Sequence, residues 1–436
     1  MAVAMPFFSR RKVQAAVDPV SPPSDFIGLK NQGKTCHLNT VLQALFMTDE
    51  FRLALQECAA AGKLQPLPDA LCSLFEKLET SNCSVSTKSI SATLKRCGFQ
   101  GLNEQQDAHD IWLRLNDRLE HDLRTSKRPR LVNELFEGKQ KQYVTCGTCG
   151  ATSETVEPFS CLELNVPAGD EVGDGPPDVV SALRERQREE QLTGDAQYFC
   201  EKCDCKRDAV RGVRLSHLPP ILSFHLARFR YRRLETPPRH LGCLPLCGER
   251  DGDHRLVKLT TPLRFSQTLR MAEFTAAEPT AAGGGAEATP THADAAAASR
   301  RLDLELTAAD DDAPPAAAAI SIASSGTRGA AQRPAAVAAG EAQPEPRPQQ
   351  AGLDYELYAV VMHVGSPSNG HYYALIQDAT ARRWFQFNDE RVVPMLESEL
   401  QNAAGTSDLA DVHRACAYML LYRRKGQPSL HLQALQ

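Results

Sequence analysis

Cys36 stands where a loop runs into an apolar segment. The loop reads Gly28-Leu-Lys-Asn31-Gln-Gly-Lys-Thr-Cys36, and beyond it Leu42, Leu45 and Phe46 recur at helical spacing. A cysteine at a helix N-terminus meets unpaired N–H groups and the positive end of the dipole. Both favour a thiolate, the form that acts as a nucleophile. Asn31, five residues earlier, offers a side-chain amide to the same spot. Such a thiol needs an imidazole as base or ion-pair partner and as acid to a leaving amine. His371 qualifies, because Gly370-His371-Tyr372-Tyr373 joins a Ser-Pro-Ser-Asn loop to a strand candidate. Asn388 or Asp389, in Phe387-Asn388-Asp389, could hold the far ring nitrogen of that imidazole. Each residue alone also has a plain reading, as a packed thiol, a structural histidine and a turn.

A second constellation is made of sulfur. Cys146-Gly-Thr-Cys149 and Cys200-Glu-Lys-Cys203 are two C-x-x-C pairs, 50 residues apart, and suit a tetrahedral, closed zinc site. Cys205 is a spare neighbour. Among the other thiols of the 14 cysteines, Cys58, Cys72, Cys83, Cys97, Cys161 and Cys416 read as packing residues, and Cys243 and Cys247 have no clear role.

The elements that must position these groups change character along the chain. Residues 1–24 read as a flexible arm. Helices are expected at the Cys36 segment, Ala70–Glu79, Ser89–Cys97 and Asn103–Leu119, the last with Ile111, Trp112, Leu115 and Leu119 on one face. Short strands follow at Gln142–Cys146, Ser153–Val156 and Cys161–Val166, then a charged helix at Asp178–Gln191. More strands are expected at Val210–Leu215, Ile221–Phe229, Tyr355–Val364, Tyr372–Gln377, Trp384–Phe387 and Ala415–Tyr422. Residues 271–352, rich in alanine and proline, read as a disordered insert inside one large domain. Inserting such a loop costs little, about 0.6 kcal/mol per doubling of length.

The chain has 436 residues, a net charge of −5 and a pI near 6.2. That balance argues against a general nucleic-acid binder. No run of apolar residues is long enough to span a membrane. The N-terminus lacks the order of a signal peptide, so a cytoplasmic, also nuclear, location is expected.

Taken together, the Gly28–Asn39 stretch, Gln105-Gln106-Asp107-Ala108-His109-Asp110, the two C-x-x-C pairs, Leu218-Pro-Pro…Leu226-Ala-Arg-Phe229, Gly370-His-Tyr372 and Trp384…Asn388-Asp389 resemble the ubiquitin-specific protease family. The resemblance covers about Phe26 to Arg424 outside the insert. It implies a mixed α/β (α+β) papain-like cysteine peptidase. A helical thumb would cover 26–138, zinc-bearing β fingers 139–216 and a β-rich palm 217–424, with a tail at 425–436. It implies Cys36 as nucleophile, His371 as base, Asn388 as its orienting group, Asn31 as oxyanion donor and Asp389 as an auxiliary. Gln106 and Asp107 would grip the arginine-containing tail of a modifier, and Phe229, His363 and Tyr372 would line the tail channel. The implied cofactor is structural zinc, with no organic cofactor. The implied partners are ubiquitin or a ubiquitin-like modifier and its conjugates. His217-Leu-Pro and Ala359–Gly365 look most like the interferon-induced member of that family. That likeness implies a two-domain modifier and a signalling receptor or adaptor as a further partner. A non-catalytic binding module on the same fold is the alternative. Lys34 and His37 depart from the family pattern beside the nucleophile, without removing a catalytic group.

Overall fold

The computed structural model describes residues 26–102, 104–168, 177–233, 250–251, 254–275, 353–405 and 414–426. The first part is helical. A two-residue strand, β1 (Leu29–Lys30), pairs in parallel with β2 (Val85–Ser86). Around them lie α1 (Cys36–Phe46), α2 (Asp49–Ala61), α3 (Pro66–Thr80), α4 (Lys88–Arg96), α5 (Ala108–Leu123) and α6 (Leu131–Phe136). Every residue of α1 is buried. Proline at the start of α3 suits a first turn whose N–H groups have no helical partner. Its Leu67, Leu71, Leu74, Phe75 and Leu78 form the buried stripe. The helix expected from Asn103 starts later. Asp107 caps α5 by accepting from the His109 N–H at 2.7 Å, and Asn103 lies outside the described residues. The sequence reading had no α2. Its stripe of Phe51, Ala54, Leu55 and Cys58 is built partly from small residues, which weakens the periodic signal.

The chain then turns to strands. β3 (Gly138–Cys146), β4 (Thr152–Phe159) and β5 (Leu162–Asn165) precede α7 (Val179–Arg186). β6 (Glu190–Leu192), β7 (Tyr198–Cys200), β8 (Cys205–Arg207) and β9 (Ala209–His217) follow. An antiparallel sheet runs β4-β3-β9-β6, and β7 and β8 form a separate hairpin. The charged helix expected over Asp178–Gln191 is shorter. Asp178 caps it through a reciprocal box with Ser181. It stops at Arg186 because the next residues go to the sheet, where Gln191 pairs with Val210.

The rest is β10 (Ile221–Ala227), β11 (Phe229–Arg233), β12 (Arg250–Asp251), β13 (His254–Lys258), β14 (Thr268–Arg270), β15 (Asp354–Gly365), β16 (Gly370–Gln377), β17 (Trp384–Asn388), β18 (Arg391–Met395) and β19 (Cys416–Arg424). One eight-stranded sheet runs β18-β17-β16-β15-β19-β10-β5, with β14 beside β15. β5 and β10 pair in parallel. One face packs on the helices through Tyr358, Val361, Ala374, Ile376 and Tyr418. The other buries Leu222, Phe224, Val360, Met362, Trp384 and Leu420 against α7 and the segments after β13.

Two boundaries differ from expectation. The strand read as Ile221–Phe229 breaks at Arg228. That guanidinium is fully buried and donates to four backbone carbonyls: Ala417, Leu259, Thr261 and Ala404, at 2.5–3.0 Å. Phe229 therefore starts a different sheet, β11-β13-β12. The insert also starts later than 271. Met271 and Phe274 are buried in the core, and the Met271 N–H donates to the Leu353 carbonyl at 2.9 Å. The two ends of the interruption are therefore neighbours. The expected insert from residue 276 to 352 lies outside the described residues. The arm at 1–24, the tail beyond Gly426, and Cys243 and Cys247 also lie outside them. Cys83, expected to pack, is exposed.

Candidate active site

Cys36 is the first residue of α1, with its side chain in the seam between the helices and the sheet. The preceding loop folds around Asn31. Asn31 Oδ1 accepts from the N–H groups of Gly33 at 2.9 Å and Thr35 at 3.3 Å. This fixes the path of the chain into the helix, as an Asx turn does.

His371 comes from the opposite side, near the start of β16, paired with Val364 of β15. Gly370 before it must be glycine, because a Cβ there would lie 2.1 Å from His363 Nε2. Asn388 ends β17, and its Oδ1 lies 2.7 Å from His371 Nε2. An amide oxygen only accepts, so Nε2 carries the proton there and Nδ1 is left for Cys36.

The electrostatics follow from this contact. Burial pushes the Cys36 thiol up. The neighbouring imidazoles of His37 and His371, the Tyr372 N–H and the His371 charge outweigh it and bring the thiol from 9.0 to about 6. For His371 the hydrogen bond to Cys36 is the largest influence. Burial opposes it, Asn388 and Asp389 reinforce it, and the imidazole rises from 6.5 to about 9. Near neutral pH the pair is thiolate and imidazolium. His37 is fully buried beside the thiol, and its ring nitrogens have no other hydrogen-bond partner among the described residues.

Asp389 ties the two sides together. Its carboxylate accepts from Asn31 Nδ2 and from Asn39 Nδ2, each at 2.8 Å, and lies 4.0 Å from His371 Nε2. Its carbonyl accepts from the Leu29 N–H at 2.8 Å. Gly28 packs so closely on this turn that a Cβ would meet the Asp389 oxygen at 2.4 Å. Asp389 thus joins the hairpin bearing Asn388 to the loop of Asn31 and the helix of Cys36. Asn39 is the residue that sequence reading missed. An asparagine three residues after the cysteine, on a helix with no exposed face, was the available signal.

The expected tail-channel residues separate. Asp107 sits at the helix–sheet seam, where the Tyr418 hydroxyl donates to it. Phe229 is half-buried, with its ring 5.1 Å from that of Tyr418. Gln106 turns back to donate to the Gln100 carbonyl at 2.7 Å. His363 and Tyr372 do not line an open channel in this form. Both are buried, with ring centroids 4.7 Å apart. Burial holds the His363 imidazole neutral, down to about 3, helped by the charges of Lys258, His371 and Arg228.

The sulfur constellation closes at the tip of the β3-β9 sheet. The four sulfurs of Cys146, Cys149, Cys200 and Cys203 lie within 4.8 Å of one another. Both pairs sit in tight turns. The Gly150 N–H returns to the Cys146 carbonyl at 2.9 Å and the Cys203 N–H to the Cys200 carbonyl at 3.1 Å. Thiolates around a tetrahedral zinc, with bonds of about 2.3 Å, lie roughly 3.8 Å apart. The group can therefore hold a metal ion. Cys205 faces away, donating to the Cys203 carbonyl at 3.1 Å.

A helix-borne, low-pKa thiol set against a strand-borne imidazole held by an amide is the arrangement expected of a papain-like cysteine-peptidase fold. The family profile described as ubiquitin carboxyl-terminal hydrolase matches residues 27–422, and the chain belongs to that family. Among curated relatives, ubiquitin carboxyl-terminal hydrolase 47 of Drosophila melanogaster is 30% identical over 92% of this chain and 25% of its own length. The Mus musculus protein of the same name is 29% identical over 92% and 28%. Ubiquitin carboxyl-terminal hydrolase 48 of Gallus gallus is 27% identical over 91% and 32%. The chain thus spans about a quarter to a third of the length of these relatives.

The ion pair sets an expected pH dependence. Alkylation of Cys36 by iodoacetamide rises with a midpoint near 6 and stays high above 9, because the thiolate persists. Hydrolysis rises through the same midpoint but falls again near 9, where His371 loses the proton the leaving amine needs. An alkylation midpoint at the ordinary thiol value would exclude this pairing.

Proposed function

We propose that this chain is a thiol-dependent deubiquitinase that cleaves isopeptide bonds after the C-terminal glycine of ubiquitin. The observation that carries the reading is Asn388 Oδ1 2.7 Å from the Nε2 of His371, an imidazole whose titration is coupled to the Cys36 thiol. The Cys36 thiolate attacks the glycine carbonyl. Asn31, whose Nδ2 also donates to Asp389, and the N-terminus of α1 are proposed to stabilise the oxygen that becomes negative. His371 gives its proton to the leaving lysine amine, and a thioester remains. Neutral His371 then takes a proton from water, which attacks the thioester and releases the glycine carboxylate and the thiolate. Asn388 holds the imidazole in the required tautomer. Asp389 positions Asn31 through its hydrogen bond, and its second tie, to Asn39, fixes the helix.

The modifier proposed is ubiquitin, because the relatives found carry that name. The two-domain modifier, the interferon link and a receptor or adaptor partner rest on the resemblance of a few motifs. We also take the metal at the four cysteines to be zinc in a structural role. We also propose a cytoplasmic and nuclear location, where ubiquitin conjugates occur. Among the described residues no helix is long and apolar enough to cross a membrane.

The test uses modifiers with an electrophile at the C-terminus. Ubiquitin carrying one forms an adduct at Cys36, located by peptide mass mapping. A parallel reaction with the two-domain modifier ranks the two substrates. No adduct with either would leave only the binding-module alternative.

A further inference from the structure

The mechanism gives no part to His37, which follows the nucleophile in the first turn of α1 and is fully buried. Neither Nδ1 nor Nε2 bonds to an acid, a carbonyl or a hydroxyl among the described residues. Buried polar groups are nearly always satisfied, so this ring calls for a partner. The polar group it lies against is the Cys36 sulfur. An imidazole, neutral or charged, carries at least one ring N–H, and a thiolate accepts. Three donors therefore converge on the sulfur: His37 from α1, and the His371 imidazole and the Tyr372 N–H from β16. They act differently. Burial raises the thiol, and among the influences that offset it the His37 hydrogen bond is the largest. His371 works through its charge as well as its hydrogen bond, whereas His37 works through the hydrogen bond alone. Asn388 and Asp389, from the end of β17 and the turn after it, act on the sulfur by way of His371.

We propose that His37 is a second catalytic imidazole, a hydrogen-bond donor that holds the charge on the Cys36 sulfur while His371 moves the proton. Its place in the reaction rests on the deubiquitinase reading. In the attack, the sulfur electron pair forms the bond to the glycine carbonyl carbon, and the His371 proton goes to the leaving amine. When water opens the thioester, its proton goes to His371, and the carbon–sulfur bond breaks with its electron pair on sulfur. His37 gives up no proton in either step. Its N–H meets the sulfur charge where the cycle begins and again where the thiolate is released. His371 is occupied with a proton transfer at both points, so a donor that keeps its own proton adds what His371 alone does not supply.

The test titrates Cys36 with iodoacetamide, the adduct being located by peptide mass mapping, and so needs no modifier. His37→Phe keeps a flat ring and removes both nitrogens. Its alkylation midpoint rises by about one to two pH units, the size of a hydrogen bond to a charged group. On ubiquitin carrying a fluorogenic leaving group, its kcat at neutral pH falls about tenfold with KM unchanged. His37→Gln keeps an N–H and restores most of both. Added to His371→Ala, the same His37→Phe change raises the midpoint further. An unchanged midpoint in His37→Phe, or no difference between His371→Ala and the double variant, overturns the proposal. If His37→Phe loses its melting transition, the wild type decides. With nitrogen-15 in the rings, the His37 resonance moves with the midpoint of Cys36 alkylation and stands still in Cys36→Ala, and a resonance indifferent to the thiol overturns the proposal. If the midpoints move as stated while ubiquitin is not hydrolysed, the donor stands and the deubiquitinase reading fails separately.

Discussion

With the proposed activity, Cys36→Ala is expected to abolish hydrolysis, lowering kcat by roughly 10⁴- to 10⁶-fold, while ubiquitin still binds. The size of the effect follows from what the site concentrates on one atom. The thiol is brought to about 6 against its own burial, by imidazoles beside it and by the Tyr372 N–H. Cys36→Ser fails almost as completely, because a hydroxyl stays protonated where the thiol ionises. His371→Ala is comparably severe, and combining it with Cys36→Ala adds little, since the two groups act as one unit. Asn388→Ala is milder. It removes the acceptor at 2.7 Å and frees the imidazole to rotate, but leaves the thiolate near its base. The measurement is single-turnover hydrolysis beside calorimetric binding. Equal loss of both in Cys36→Ala would mean that the substitution broke the fold and not the chemistry.

The second large effect lies far from the thiol. Stripping metal from the four cysteines, or Cys200→Ser, unfolds the outer part of the β3-β9 sheet. Tyr143, Cys146, Cys200 and Ala209 are buried there, yet none belongs to either apolar core of the domain. β4 is exposed along most of its length. So few apolar contacts cannot offset the ordering entropy of a sheet tip. A metal bridging two turns can, since zinc binding contributes about 10 to 16 kcal/mol in small zinc peptides. Chelator-treated protein is therefore cut by protease between Cys146 and Ala209. Its Cys36 still alkylates at the wild-type rate, because α1 and β16 share the helix-side core, away from the sheet tip. Zinc content is read in parallel by emission spectroscopy. A chelated protein with an unchanged digestion pattern would show that the hairpins hold themselves.

The residues of the site were legible where chemistry narrows the choice. A thiol at a helix start, an imidazole at a strand start and an amide at a strand end each need one residue type at one junction. The long strands were found for a similar reason, since β15, β16 and β19 run apolar through most of their length. What stayed hidden depends on partners distant in sequence. Asp389 read as an auxiliary to His371, but its two shortest contacts are to Asn31 and Asn39. Arg228 read as one more residue of a strand, and four carbonyls from three other segments make it the end of that strand. Gln191 sits in a stretch of helix formers and is drawn into a strand by pairing with Val210. His363 and Tyr372 read as channel walls, and only packing shows them beneath the surface.

The adjacency of Met271 and Leu353 has a consequence for how the catalytic groups are divided. The polypeptide before the interruption carries Asn31 and Cys36, and the polypeptide after it carries His371, Asn388 and Asp389. The second piece supplies β15 and β19, which β14 and β10 of the first piece flank. Tethering through a loop of about 80 residues has a closure entropy of about 4 kcal/mol, small beside the apolar surface the two pieces share. Residues 26–275 and 353–426, produced as separate polypeptides, should therefore assemble into a two-chain enzyme. Each fragment alone is silent, so hydrolysis on mixing reports complementation with no background.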